Sequence, residues 1–154
     1  MTEVTLPSPC EITMTRAFDA PVSLVWRAFT EPSLVSRWLL GPDGWTMPIC
    51  EIDLRVGGKW RYGWRAEDGS HSFEMHGSYE SLEPPTRIVH TEHFEDNPPA
   101  VVTTTFSEVD GVTTMTQTMR LVSQEVRDAV VATGMADGAG TSFDRLAKLL
   151  PSLA

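Results

Sequence analysis

Residues 21–38 have the sequence PVSLVWRAFTEPSLVSRW, and residues 55–69 have the sequence RVGGKWRYGWRAEDG. In the first segment, apolar residues recur at helical spacing after Pro21, and Glu31-Pro32 begins a second short apolar stripe, so two short helices are predicted. In the second, Trp60, Tyr62 and Trp64 alternate with basic residues, which predicts a strand with one aromatic face. Two helices placed before a run of strands indicate an α+β fold rather than a parallel alternating one.

Seven strands are predicted along the chain from alternation and turn signals. They cover residues 11–16, 50–56, 59–65, 73–80, 87–94, 101–109 and 112–121. Asp110-Gly111 is the strongest hairpin signal between them. From Ser123 the apolar period becomes helical, which predicts one long helix capped by Ser123 and ended by Pro151. Three glycines in this helix either kink it or admit the close approach of a backbone or a ligand: Gly134, Gly138 and Gly140.

The 154 residues fit a single domain, 1–154, with a sizeable core. A net charge of -9 without a basic cluster excludes the usual nucleic-acid binders. The opening residues lack the pattern of a secretory signal, and no apolar run is long enough to span a bilayer, so we expect a cytoplasmic protein without membrane insertion. Cys10 and Cys50 have no CxxC or Cys/His spacing, which favours small buried hydrophobes over a disulfide or a reactive site.

Four segments resemble the START-like, or SRPBCC, superfamily, in its branch similar to the activator of heat-shock protein 90 ATPase homologue. They are PVSLVWRAFTEPSLVSRWLLGP (21–42), DLRVGGKWRY (53–62), HGSYESLEPPTRIVHTEHF (76–94) and GMADGAGTSFDRLAKLL (134–150). The resemblance implies a helix-grip (START/Bet v-like) fold. In that fold a seven-stranded antiparallel sheet wraps around a long C-terminal helix, two short helices follow strand one, and an apolar cavity separates sheet and helix. Where the family's closing helix commonly has tryptophan after glycine, this chain has Ala139, which enlarges the cavity or shifts its opening.

The residues predicted to bind a ligand are large or adaptable apolar side chains, with one small helical residue. They are Trp38, Trp45, Trp60, Tyr62, Trp64, Phe73, Met75, Phe106, Met115, Met135 and Ala139. The alternative for all of them is ordinary core packing, because core and cavity lining coincide in a partly hollow fold.

No residue spacing identifies a catalytic pair, and His76, His90 and Glu92 are weak candidates for proton transfer. Alternation places His90 and Glu92 on one strand face and His93 on the other, and either face could point inward. The histidines lack the carboxylate or thiol context of a metal site, so we expect no metal and no cofactor.

Three functions are compatible with these observations. The first is noncatalytic binding of a small hydrophobic ligand, as a carrier or sensor, because aromatic side chains are present without a catalytic constellation. The second is a cyclase-, aromatase- or hydrolase-like enzyme that uses a cavity histidine or glutamate, as in some relatives. The third, ranked last, is a chaperone-associated accessory protein. A homodimer is a further expected partner state, common among small domains.

Overall fold

The computed structural model describes all 154 residues, as an α+β fold with one antiparallel sheet and four helices. The elements in chain order are β1 (Glu3–Thr5), β2 (Glu11–Phe18), α1 (Val22–Thr30), α2 (Pro32–Trp38), β3 (Trp45–Ile52), β4 (Lys59–Ala66), β5 (Ser72–Glu83), β6 (Arg87–Glu92), β7 (Ala100–Val109), β8 (Val112–Arg120), α3 (Gln124–Ala132) and α4 (Met135–Leu153).

The strands lie in the order β1-β2-β8-β7-β6-β5-β4-β3, and every neighbouring pair is antiparallel. This arrangement, with helices after the first long strand and at the C-terminus, has the helix-grip architecture that the sequence predicted. The predicted count of seven strands was wrong, because the sheet has eight. The additional strand, β1, has three residues, too few for alternation to reveal it, and it forms only by pairing with β2.

The C-terminal helix was predicted as one element, and this was also wrong. Gly134 adopts a left-handed backbone (φ 79°) that separates α3 from α4. Ser123 caps α3 as expected, since its side-chain oxygen accepts a hydrogen bond from the Val126 N–H at 3.2 Å. Pro151 does not end α4, which continues to Leu153. In the last turn its missing N–H removes only one backbone hydrogen bond.

The strand predicted at residues 50–56 lies earlier in the chain, as β3 at Trp45–Ile52. Residues after Ile52 form a tight loop in which the Gly58 N–H donates to the Arg55 carbonyl at 2.8 Å. A Cβ at Gly58 would lie 2.1 Å from the Asp53 carbonyl oxygen, so only glycine fits this turn. The loop leaves Val56 63% exposed, although its spacing resembles that of a buried strand residue.

The inner face of the sheet is the face covered by the helices. Helix α4 packs closely against α1, α2, α3 and β2, and no comparably close approach links it to β4, β5 or β6. Fully buried Phe18, Met115 and Leu146 belong to the core on the β2 and β8 side. The helix therefore covers one half of the sheet more closely than the other.

Two of the three helix glycines lie against the protein's own chain. A Cβ at Gly138 would lie 3.7 Å from Pro42, and one at Gly140 would lie 3.8 Å from Thr2. The close approach at these two positions is therefore made by the loop after α2 and by the N-terminal segment. None of the four helices combines the length and apolar character needed to cross a membrane.

Candidate functional site: a polar cleft on the inner face of β4, β5 and β6

The strand register shows which side chains share the inner face of β4, β5 and β6. Directly paired residues of antiparallel strands project from the same face. Trp60 pairs with Gly77, Tyr62 with Met75, and Tyr79 with His90. The Trp64 indole, two residues beyond Tyr62, donates to the Leu39 carbonyl at the end of α2, so this row faces the helices.

Trp60 is fixed in this row by the glycine opposite it. Its indole Nε1 donates to the carbonyl oxygen of Thr91 at 3.1 Å, across the Gly77 position. A Cβ at Gly77 would lie 1.8 Å from that oxygen and 2.8 Å from the indole nitrogen. The absence of a side chain at Gly77 thus allows the ring to cross β5 and hold β6.

Three weakly acidic groups lie close together beside Trp60. Burial, followed by the neighbouring Tyr79 and Cys50, raises the pKa of Tyr62 well above its ordinary value. Burial also raises the pKa of Tyr79 and brings the pKa of the Cys50 thiol to about 11. At neutral pH these groups are uncharged hydrogen-bonding groups in a largely apolar environment.

His90 and Glu92 form the polar end of the same row. The Nε2 atom of His90 lies 3.6 Å from the Oε2 atom of Glu92, and the side chains are 17% and 21% exposed, so solvent reaches both. The His90 ring is 5.4 Å from the Trp60 ring and 6.4 Å from the Tyr79 ring. We call the set Trp60, Tyr62, Met75, Tyr79, His90 and Glu92 the inner cleft.

The structure decides which histidine row faces inward. His90 and Glu92 lie inside, whereas His76 and His93 project from the outer face, where their rings stack at 5.0 Å and 8°. His76 is therefore separated from the other two catalytic candidates by the sheet. The structure brings together no group of three or more His, Cys, Asp or Glu side chains placed to hold a metal ion.

The residues predicted to bind a ligand are distributed over three environments. Trp60, Tyr62 and Met75 belong to the inner cleft, and Met135 and Ala139 are half-buried on α4. Trp45, Trp64 and Phe73 form an aromatic cluster at one end of the sheet. The remaining three are fully or almost fully buried in the packed core: Trp38, Phe106 and Met115.

Two residues of this region were not predicted as site residues from the sequence. Tyr79 alternates with Gly77 in β5, which was a usable signal for a shared face, and Cys50 alternates with Ile52 in β3. Their closeness to Tyr62 depends on pairing between strands, which alternation within one strand does not report.

Two open hollows lie on the outer face of the sheet. One of about 280 Å³ is lined in part by Glu51, Arg61 and His76, and one of about 500 Å³ is lined in part by Arg65 and Glu74. Both are separated by the sheet from the space beside α4. Within the inner cleft, Trp60 and Tyr79 are buried, whereas the other four side chains are half-buried.

An antiparallel sheet with a C-terminal helix packed on its inner face defines the helix-grip class of α+β proteins. A family model described as "Activator of Hsp90 ATPase homolog 1-like protein" matches residues 19–151. The chain belongs to this family. A search of curated proteins found no match.

Solved structures from bacteria have the same fold. The crystal structure of a Rhodobacter sphaeroides protein is 28% identical, with a TM-score of 0.91 over all of both chains. A Chromobacterium violaceum protein is 27% identical, with a TM-score of 0.81, and the match covers 93% of this chain and 98% of that one. A Nitrosomonas europaea protein, 24% identical over 96% and 97% of the two chains, has a TM-score of 0.85 and shows the fold alone.

Proposed function

We propose that this protein binds a small hydrophobic molecule between the inner cleft and helix α4, as a carrier or sensor without catalysis. The observation that carries the proposal is the partial exposure of inward-facing side chains on β4, β5 and β6, namely Tyr62, Met75, His90 and Glu92. Membership of a START-like family, whose fold is suited to ligand binding, supports it. A chaperone partner, suggested by the family's name, stays a prediction.

The two halves of the inner face differ in how completely they are filled. Met14, Phe18 and Met115 on β2 and β8 are almost fully buried beneath the helices. On β4 and β5, Trp60 and Tyr79 are buried as well, but Tyr62 and Met75 on the same face of the sheet are only half-buried. Side chains that face inward and remain accessible are the expected lining of a ligand site.

The chemistry of the cleft suits an apolar molecule with one polar group. Trp60 and Tyr62, with ring centroids 4.7 Å apart, offer a rigid aromatic surface at little entropic cost. Met75 offers a flexible apolar surface that adapts to different shapes. His90 and Glu92 supply hydrogen-bonding groups at the accessible end.

The test is ligand binding by native mass spectrometry and by quenching of tryptophan emission with a panel of apolar molecules. Ala139→Trp places a large ring on the inward face of α4 and should reduce binding at least tenfold, because it fills the space beside the cleft. Ala132→Trp, on the exposed end of α3, is the matched control and should bind as the wild type does. Failure of the whole panel to bind, or equal binding by both variants, would refute the proposal.

A second candidate function is proton transfer on a bound molecule, favoured by the 3.6 Å approach of His90 to Glu92 on the inner face. Its test is product formation from a ligand found by the binding screen. His90→Gln and Glu92→Gln should each reduce turnover, while His76→Gln on the outer face should leave it unchanged. A chemically unaltered ligand after long incubation would leave binding alone as the function.

A further inference from the structure

The charges on β4 are segregated by the sheet. Lys59, Arg61 and Arg65 alternate with the inner tryptophans and tyrosine, so all three project from the outer face. Arg61 is held there by Glu74, whose carboxylate accepts a hydrogen bond from its Nε at 2.7 Å. None of these cations can reach a ligand in the inner cleft.

The inner face of β3 to β6 holds one formally charged side chain, Glu92. The register places the other acidic residues of these strands on the outer face or, for Glu80, at the bulge of β5. Apart from His90, no side chain on this face can carry a positive charge. Glu92 is only 21% exposed, so water compensates its charge incompletely.

Helix α4, which faces the cleft, supplies no positively charged side chain to Glu92. The face of α4 that packs against the core carries Met135, Ala139 and Phe143 at this end, and all are uncharged. Arg145 on the same helix does not pair with Glu92, because it donates hydrogen bonds to the carbonyls of Trp38 and Gly41 at 3.1 Å.

Aromatic rings lie next to the carboxylate. Trp60 contacts both Tyr62 and His90, and the charge of Glu92 is near enough to Tyr62 to help raise the pKa of its hydroxyl. A cation gains from the face of an aromatic ring and from a partly buried carboxylate together. An anion in the same place would be repelled by Glu92 and would meet no basic side chain other than His90.

We infer that the ligand of the inner cleft is an amphiphilic amine, whose ammonium group pairs with Glu92 beside Trp60 and Tyr62 while its apolar part extends toward α4. The inference rests on the proposed function of the cleft and specifies the charge of the molecule that it binds. It predicts that fatty acids and other carboxylates bind less tightly than the amine.

Decylamine, decanol and decanoate test this inference, because they share one chain and differ in the head group. Binding is measured by titration calorimetry below the concentrations at which they form micelles. We expect decylamine to bind about tenfold more tightly than decanol, and decanoate to bind least, as one charge-assisted contact predicts. Glu92→Gln should remove the preference for the amine, so that decylamine and decanol bind with similar affinity.

Glu80→Gln is the matched control, since Glu80 is exposed at the bulge of β5 and both variants lower the net negative charge by one. An amine drawn only to the acidic surface would respond equally to the two substitutions, and that result would overturn the inference. Decanoate binding as tightly as decylamine to the wild type would overturn it as well, while leaving the binding function standing. If none of the three probes bound, the proposed function itself would fail.

Discussion

The inner face of the sheet has two halves that follow the same strand alternation but have different environments. On β2 and β8, the inward side chains are enclosed by α1 and α4, as in the contacts of Phe18 with Phe143 and Phe29. On β4, β5 and β6, the inward row ends in His90 and Glu92, which solvent reaches. One half is packed core throughout, and the other combines buried aromatic rings with a partly exposed polar end.

The difference shows that the alternation along a strand determines which side chains point inward. The position of the helices determines whether those side chains are packed in the core or remain accessible. Helix α4 lies close to β2, α1 lies close to β7 and β8, and α2 lies close to β3, whereas no helix approaches β4, β5 or β6 as closely. A ligand can occupy only the half that the protein's own side chains leave accessible.

The largest expected effect is on the packed half. Leu146→Ala removes a fully buried side chain and should lower the free energy of unfolding by about 2–5 kcal/mol, because it leaves a cavity in a close-packed core. Met75→Ala, on the half-buried row of the cleft, should cost about 1 kcal/mol. Urea denaturation measures both, and equal losses would mean that the two halves are equally packed.

Gly77→Ala tests how tightly Trp60 is held across β5. The added Cβ would meet the Thr91 carbonyl at 1.8 Å, so β5 and β6 must separate and the indole must give up its hydrogen bond. We expect a loss of about 2–3 kcal/mol and a red shift of tryptophan emission. A variant with wild-type stability and emission would show that this contact does not hold the cleft together.

Gly138→Ala is the matched substitution at a glycine where the structure has space for a Cβ atom. Its Cβ would lie 3.7 Å from Pro42, an ordinary contact, and alanine favours the helical backbone. The free energy of unfolding should therefore rise by up to about 1 kcal/mol, as measured by the same denaturation. A loss of stability would mean that the loop after α2 needs a closer approach to α4.

Tyr62→Phe should have the smallest effect at neutral pH, about 1 kcal/mol or less. Its effect should appear at alkaline pH. Burial raises the pKa of Tyr62 above the ordinary 10.0 and the pKa of Cys50 from 9.0 to about 11, so the folded protein retains protons that the unfolded chain releases. Stability is at its full value below about pH 9 and is lost as the pH rises toward the folded-state values.

The measurement is the melting temperature between pH 7 and 11. The wild type should lose stability steeply above pH 9, and Tyr62→Phe should lose it less steeply, because one of the responsible protons is absent. Parallel curves for the two proteins would show that ionisation of Tyr62 does not contribute to the loss of stability at alkaline pH.

Much of the fold was predictable from local pattern. The alternation of Trp60, Tyr62 and Trp64 correctly indicated one shared face, and Asp110-Gly111 correctly placed the β7–β8 hairpin. The break at Gly134 was not predicted as a helix end, because an apolar helical period continues on both sides of it. Strand β1 escaped detection because three residues carry no period.

The candidate site was predictable only in part. Trp60, Tyr62 and Met75 were identified as possible lining from their strand patterns, but Trp38 and Met115 have similar patterns and lie in the packed core. Periodicity reports that a side chain faces inward. It does not report whether another element fills the space in front of it.

The amino-acid sequence by itself determined the fold class, the two short helices, most of the strands and the aromatic face of β4, because these depend on local spacing and turn chemistry. Tertiary structure alone decided that His90 and Glu92 face inward and His76 outward, and that Tyr62, Tyr79 and Cys50 lie together. The physical reason is that strand pairing and the placement of α4 act between residues distant in the chain, whereas sequence periodicity describes only neighbours along it.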